Sequence, residues 1–200
     1  MDPLRTIDGA LDDAARALDA LRRDDACRVA IASFAERARD TLDSGGRLYA
    51  CGNGGSMCDA MHFAQEWTGR FRNDRAPLPA MAFSDPGLLS GIANDYGYEE
   101  VFARALEAHA RPGDLLVFLS TSGDSQNLVR AAERARSLGI ETVALLGRGG
   151  GKLAGLVDLP IIVPEAHTAD RVQELHIKIL HATIEAVETS LRSTGGAGAE

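Results

Sequence analysis

The period of the apolar residues changes along this chain. From Met1 to Ser44, Leu11, Ala15, Leu18 and Leu21 recur at helical spacing among charges, and Val29, Ile31, Phe34 and Leu42 continue a second series. That spacing predicts two helices. They are longer than a sheet cover requires, so residues 1–44 are expected to pack against another copy of the chain. After "DSGG", where Gly45 and Gly46 stop the helix, the pattern becomes short continuous apolar runs. "RLYAC" at 47–51, "PAMAF" at 79–83, "DLLVFLS" at 114–120, "ETVALLG" at 141–147 and "DLPIIVP" at 158–164 read as five strands. Helices are predicted up to about Trp67, near 98–110, up to Gly139, and from Thr168 to Arg192. The stretch "SDPGLLSGIANDYG" reads as irregular, and residues 195–200, the end of "STGGAGAE", as a disordered tail.

Continuous apolar strands alternating with helices indicate an α/β fold whose five-stranded parallel sheet is covered on both faces. No repeat or linker divides the chain, so 45–194 forms the main body of a single domain. Ligands bind such sheets beyond the carboxyl ends of the strands. That rule places "GNGGS", "SDPGLL…AND" and "STSGDS" on one rim.

Composition narrows the partners. A net charge of -8 over 200 residues argues against broad nucleic-acid binding, which needs a basic face, but a few local donors suffice for one phosphate. No apolar run approaches the roughly 20 residues of a membrane span, and the acidic N-terminus resembles neither a signal nor a transit peptide. Cys27, Cys51 and Cys58 contain no CxxC and suit free thiols in a reducing cytoplasm. Cys58, one turn before His62, reads as a small buried hydrophobe rather than a metal ligand.

Two loops are suited to an anion. In Gly52-Asn53-Gly54-Gly55-Ser56 the glycines let backbone N–H groups converge at a helix N-terminus, although a tight turn without a ligand explains them equally. The dinucleotide fingerprint fails there, because its third glycine would fall at Met57. In "LSTSGDSQN", Ser120, Thr121, Ser122 and Ser125 supply four hydroxyls in six residues, more than one helix cap needs. We read this cluster as a phosphate cradle, with the Asp124 side chain turned away. A third cluster, "GRGGGK" at 147–152, fails the Walker A spacing and reads as a flexible turn.

His62 and Glu66 stand four apart on a helix and can meet at one point, which also describes a plain surface pair. The last helix adds Gln173, Glu174, His176 and His181. Such groups suit proton transfer between adjacent carbons of a sugar phosphate: a base for the carbon-bound proton, an acid for oxygen, and positive charge near the oxyanion. A zinc ion held by His and carboxylate, with Gln as a weaker ligand, is one source of that charge. Gln173 and His181 lie about 12 Å apart along a straight helix and about 80° apart in rotation. Either the helix bends and both side chains stretch, or the two come from different chains.

"CGNGGSMCDAMHFAQEWTGRFR", "GIANDYGYEEVFARAL", "LSTSGDSQNLVRAAERARSLG" and "ADRVQELHIKILH" together resemble the phosphoheptose isomerases of the sugar isomerase (SIS) domain superfamily, over nearly the whole chain. The resemblance implies a cytoplasmic homotetramer with active sites between subunits. It implies conversion of sedoheptulose 7-phosphate to D-glycero-D-manno-heptose 7-phosphate, the first committed step toward the heptose of bacterial lipopolysaccharide and of some other nucleotide-activated heptoses. It also implies that Asn53, Gly54, Gly55 and Ser56 line the sugar, that Asn94 and Asp95 contact its hydroxyls, and that Ser120, Thr121, Ser122 and Ser125 hold the phosphate. His62, Glu66, Gln173 and His181 match the family's metal positions, for one Zn2+ per subunit, and Glu66 and His181 its acid–base pair. Asp124 and Met57 depart from residues common in relatives. Three other readings stand beside this one: a non-catalytic SIS-fold adaptor that binds the replication initiator, a sugar-phosphate sensor, and an isomerase acting on a hexose phosphate.

Overall fold

A computed structural model of the chain describes residues 2–195, with side-chain surroundings described to Leu191. Helix α1 spans Pro3–Arg23 and α2 spans Asp25–Asp43. Both begin on an aspartate that accepts a first-turn N–H: Asp2 from Leu4, and Asp24 from Cys27 at 2.9 Å. The Asp24 N–H also caps the end of α1, so one residue closes one helix and opens the next. Strand β1 (Leu48–Gly52) leads into α3 (Gly55–Thr68), and β2 (Ala80–Ala82) follows.

The stretch read as irregular is a helix, α4 (Pro86–Tyr96). Asp85 caps it at Leu88 N–H, 2.7 Å, and Pro86 occupies the first turn. The two start signals were present in the sequence, but Gly87 and Gly91 and the lack of any fully buried residue conceal the periodicity. A single 3-10 turn at Tyr98–Glu100 joins α4 to α5 (Val101–His109). Then come β3 (Leu115–Ser120), α6 (Gln126–Leu138), β4 (Glu141–Leu146), β5 (Leu159–Ile162) and α7 (Ala169–Gly195). Helix α7 reaches Gly195, the first residue of the segment read as a tail; 196–200 lie outside the described residues.

The five strands are all parallel in the order β2-β1-β3-β4-β5. Alternate strand residues face opposite layers. Leu48, Ala50, Leu115, Val117 and Leu119 pack with Phe34, Phe63, Trp67 and Val172 of α2, α3 and α7. Tyr49, Cys51, Leu116 and Phe118 pack with Phe102, Leu106 and Leu128 of α5 and α6. The inner faces of α1 and α2 belong to the first of these cores, through Ala17, Leu21 and Phe34. Their outer faces carry Leu4, Ile7, Leu11 and Val29, each more than half exposed. Among the described residues no helix is long and apolar enough to cross a membrane.

From β1 the chain turns one way to β2 and later the other way to β3. The loops after β1 and β3 therefore splay apart at the carboxyl edge, the crevice where open α/β sheets bind ligands.

Candidate active site

The loop after β1 packs tightly. A Cβ on Gly52 would lie 2.8 Å from Ser56 backbone and 2.9 Å from the Leu119 carbonyl, so only glycine lets α3 start this close to the sheet. Gly54 takes a φ of +56°, and Gly55 opens the helix with the Gln173 amide 2.7 Å from where its Cβ would stand. Ser56 is buried beneath them.

The loop after β3 is held by its own hydroxyls. Ser120 Oγ accepts Gly123 N–H at 3.0 Å, and Ser122 Oγ accepts Asp124 N–H at 3.2 Å. Ser125 occupies the N-cap position of α6, yet its hydroxyl makes no capping bond, so the positive end of the helix keeps a free hydroxyl beside it. Asp124 Oδ1 instead accepts the Lys152 N–H at 3.1 Å, which turns its charge away from the cradle. The "GRGGGK" segment is therefore a buttress rather than a loose turn. A Cβ on Gly123 would lie 1.9 Å from the Gly150 carbonyl, and one on Gly151 2.4 Å from that of Ser122.

A seam between α3 and α7 runs down from this rim. Gly55 faces Gln173 at its upper end. Two turns along α3, His62 Nε2 lies 2.9 Å from His181 Nε2 and 3.3 Å from Glu66 Oε1. Burial first, then the charge of His62, holds the His181 imidazole below its ordinary pKa, with Glu66 opposing. Phe71 packs on the His181 ring. Arg75 fastens the lower end: it donates to the Glu66 carbonyl at 2.6 Å and the Trp67 carbonyl at 2.7 Å, and pairs with Glu188 of α7 at 2.8 Å. Asp59, one turn before His62, has a buried carboxylate oxygen without a partner, and burial pushes its pKa up to about 6.

Ligands of a tetrahedral zinc with bonds of about 2.0–2.1 Å stand about 3.3 Å apart. The His62–Glu66 spacing matches that edge. The two imidazole nitrogens are closer, at hydrogen-bond distance, and among the described residues no three His, Cys, Asp or Glu side chains form a ready-made metal cage. Two imidazoles and a carboxylate nevertheless constitute a donor set for zinc, reached by parting the rings a few tenths of an ångström. Gln173 stands at the other end of the seam, about 10 Å along α3. Cys58, expected to be buried, is exposed.

Two residues near the rim escaped the sequence reading. Asn127 and Asn53 exchange amide hydrogen bonds at 3.0 and 2.9 Å, and Tyr98 donates to Asn53 Oδ1 at 2.9 Å. Asn94 donates to Asp95 at the exposed end of α4.

Residues 11–147 match the SIS domain family. The phosphoheptose isomerase of Vibrio cholerae is 48% identical over 181 residues, 90% of this chain and 95% of that protein. That of Tolumonas auensis is 54% identical over 151 residues, 76% of this chain and 79% of its own length. The phosphoheptose isomerase structure from Neisseria gonorrhoeae superposes with a TM-score of 0.85 at 35% identity, covering 94% of this chain and all of that one. Likeness of this extent in both sequence and fold means that the chain belongs to the SIS-domain family and, within it, to the phosphoheptose isomerases.

Proposed function

We propose that this chain converts sedoheptulose 7-phosphate to D-glycero-D-manno-heptose 7-phosphate through an enediolate, the first step toward a nucleotide-activated heptose. The observation that carries the reading is the meeting of His62, Glu66 and His181 in one seam beneath two anion-ready loops. The serine loop and the α6 N-terminus hold the phosphate, and the sugar extends over Gly54 and Gly55 toward the seam. Glu66 takes a proton from C1 of the ketose, exchanges it with solvent, and delivers a proton to C2. His181, kept neutral by its surroundings, exchanges protons with the two oxygens. Proton transfer between neighbouring carbons leaves no net redox change and calls for no nicotinamide or flavin.

Zinc, one ion per subunit, belongs to this reading, with His62, Glu66 and His181 as donors; Gln173, about 10 Å along the seam in its own chain, would join as a weaker ligand from a neighbouring subunit. When bound it would polarise the substrate carbonyl as a Lewis acid. The exposed leucines and valine on the outer faces of α1 and α2 support a homotetramer with sites between subunits. Free thiols at Cys27, Cys51 and Cys58 support a cytoplasmic protein, and the acidic net charge gives nucleic acid no footing.

The test is an NMR assay of sedoheptulose 7-phosphate in D₂O, with and without chelator. Product carrying solvent deuterium at C2 is expected, along with loss of turnover in chelator and recovery on adding zinc. Product without deuterium would remove a solvent-exchanging enediolate, and full activity in chelator would remove the metal.

A further inference from the structure

Three segments of the rim meet at one buried amide. Asn127 lies in the first turn of α6 and is 4% exposed. Its Oδ1 accepts the Leu128 backbone N–H at 3.0 Å and the Asn53 Nδ2 at 3.0 Å. Its Nδ2 donates to Asn53 Oδ1 at 2.9 Å, where the Tyr98 hydroxyl also arrives at 2.9 Å.

The polarity of this network follows from one fixed donor. The Leu128 N–H is shared between the Ser125 carbonyl and Asn127, at 3.0 Å from each, and since a backbone N–H can only donate, the Asn127 atom facing it is the carbonyl oxygen. That choice orients the Asn127 amide, which orients the Asn53 amide by reciprocity. Asn53 then presents an oxygen to Tyr98, and the phenolic O–H has to donate inward. Both lone pairs of Asn53 Oδ1 are thereby occupied, leaving that side chain one N–H for a ligand and no acceptor. The Tyr98 oxygen keeps its lone pairs free, and its side chain is about half exposed on the segment that follows Asn94 and Asp95.

We propose that Asn127 is a positioning residue for the sugar pocket. It fixes the Asn53 amide and, through it, latches Tyr98 across the crevice, so that Tyr98 offers a hydroxyl oxygen as acceptor to a hydroxyl of the substrate chain. The latch joins the loop after β1, the first turn of α6 and the 3-10 turn that follows α4, each of them next to or carrying the candidate sugar and phosphate contacts. It touches none of His62, Glu66 or His181. Its effect therefore falls on binding and on the choice among polyhydroxylated substrates, not on the proton transfer. The proposal rests on the sugar-phosphate reading above.

The test is a double-mutant cycle with Tyr98→Phe and Asn127→Ala, assayed on sedoheptulose 7-phosphate, with hydrogen exchange of residues 94–100 followed in ligand-free protein. Tyr98→Phe is expected to raise KM about five- to tenfold, the loss of one hydrogen bond at a bound ligand, with kcat changed by less than about twofold. Once Asn127 is alanine, Tyr98→Phe should add little. Both single variants should exchange faster across 94–100, and the double variant no faster than Asn127→Ala. Additive KM effects, or an unchanged KM in Tyr98→Phe, would overturn the substrate role, and wild-type exchange at 94–100 in Tyr98→Phe would overturn the latch. If Asn127→Ala does not fold, the Tyr98→Phe results decide alone. A wild-type protein inactive on this sugar would instead refute the functional reading, and the exchange rates would still decide the latch.

Discussion

The rim and the seam use opposite means to hold functional groups. The cradle after β3 is a continuous run of sequence, shaped by Gly123 and by hydroxyls that bond to N–H groups two and three residues on. Its outer support is also backbone, the 147–152 segment. The seam has no such local order: His62 and His181 stand 119 residues apart and meet only because two helices pack side by side, fastened by Arg75. A backbone-built site tolerates changes of side chain but not of backbone shape, and a seam built from side chains the reverse. Substitutions at the two places should fail differently.

The largest effect is expected at the seam. Glu66→Gln keeps the size and the hydrogen-bonding capacity of the side chain but removes its basicity. Turnover should fall about a thousandfold, within the range for losing a positioned general base, while substrate binding measured by calorimetry stays within a few-fold of wild type. Turnover near wild type would show that the carbon-bound proton goes elsewhere.

At the rim the failure should be one of shape. Gly123 has a φ of +72°, and a Cβ there would meet the Gly150 carbonyl at 1.9 Å. Gly123→Ala should destabilise the protein by about 3 kcal/mol through strain and overpacking and raise KM for the sugar phosphate more than it lowers kcat. Gly149 supplies the control. Its φ is +80° but nothing lies within 4 Å of its missing Cβ, so Gly149→Ala should cost only about 1 kcal/mol. Equal denaturation midpoints for the two variants would mean that 147–152 does not buttress the cradle.

The same contrast governs how much was legible. Strand order aside, the α/β alternation and four of the five helices that follow the first strand could be read from apolar periods, and the serine cradle from residues adjacent in sequence. Helix α4 was hidden because its burial is shallow and its glycines interrupt the pattern, although its Asp-Pro start was visible. The 147–152 buttress escaped because contacts between two loops leave no period. Asn127 and Tyr98 escaped for a related reason: an amide pair across a crevice depends on the topological switch between β1 and β3, which no local pattern records. The meeting of His62 and Glu66 followed from helical spacing, but their meeting with His181 rested on family resemblance until the packing of α3 on α7 was known.

His176 connects the two regions and gives the smallest effect apart from the Gly149 control. It lies on α7, fully buried against the end of β4, one residue before the buttress begins at Gly147. Neither ring nitrogen makes a hydrogen bond of proper geometry, although the Leu146 carbonyl lies close enough to favour protonation weakly. Burial dominates and pulls its pKa down to about 4. In the unfolded chain the imidazole titrates near 6.5, so below that pH the unfolded state takes up a proton that the folded state refuses. Stability should be flat above about pH 7 and decline as pH falls from 6.5 toward 4, by about 1.5 kcal/mol at pH 5.5. Carboxylates also titrate in this range, so the measurement is a difference: urea midpoints at pH 7 and 5.5, at one protein concentration, for wild type and His176→Leu. The variant should lose the smaller share of its stability on acidification. Parallel pH dependence in the two proteins would show that the burial of His176 contributes nothing to the acid sensitivity of the fold.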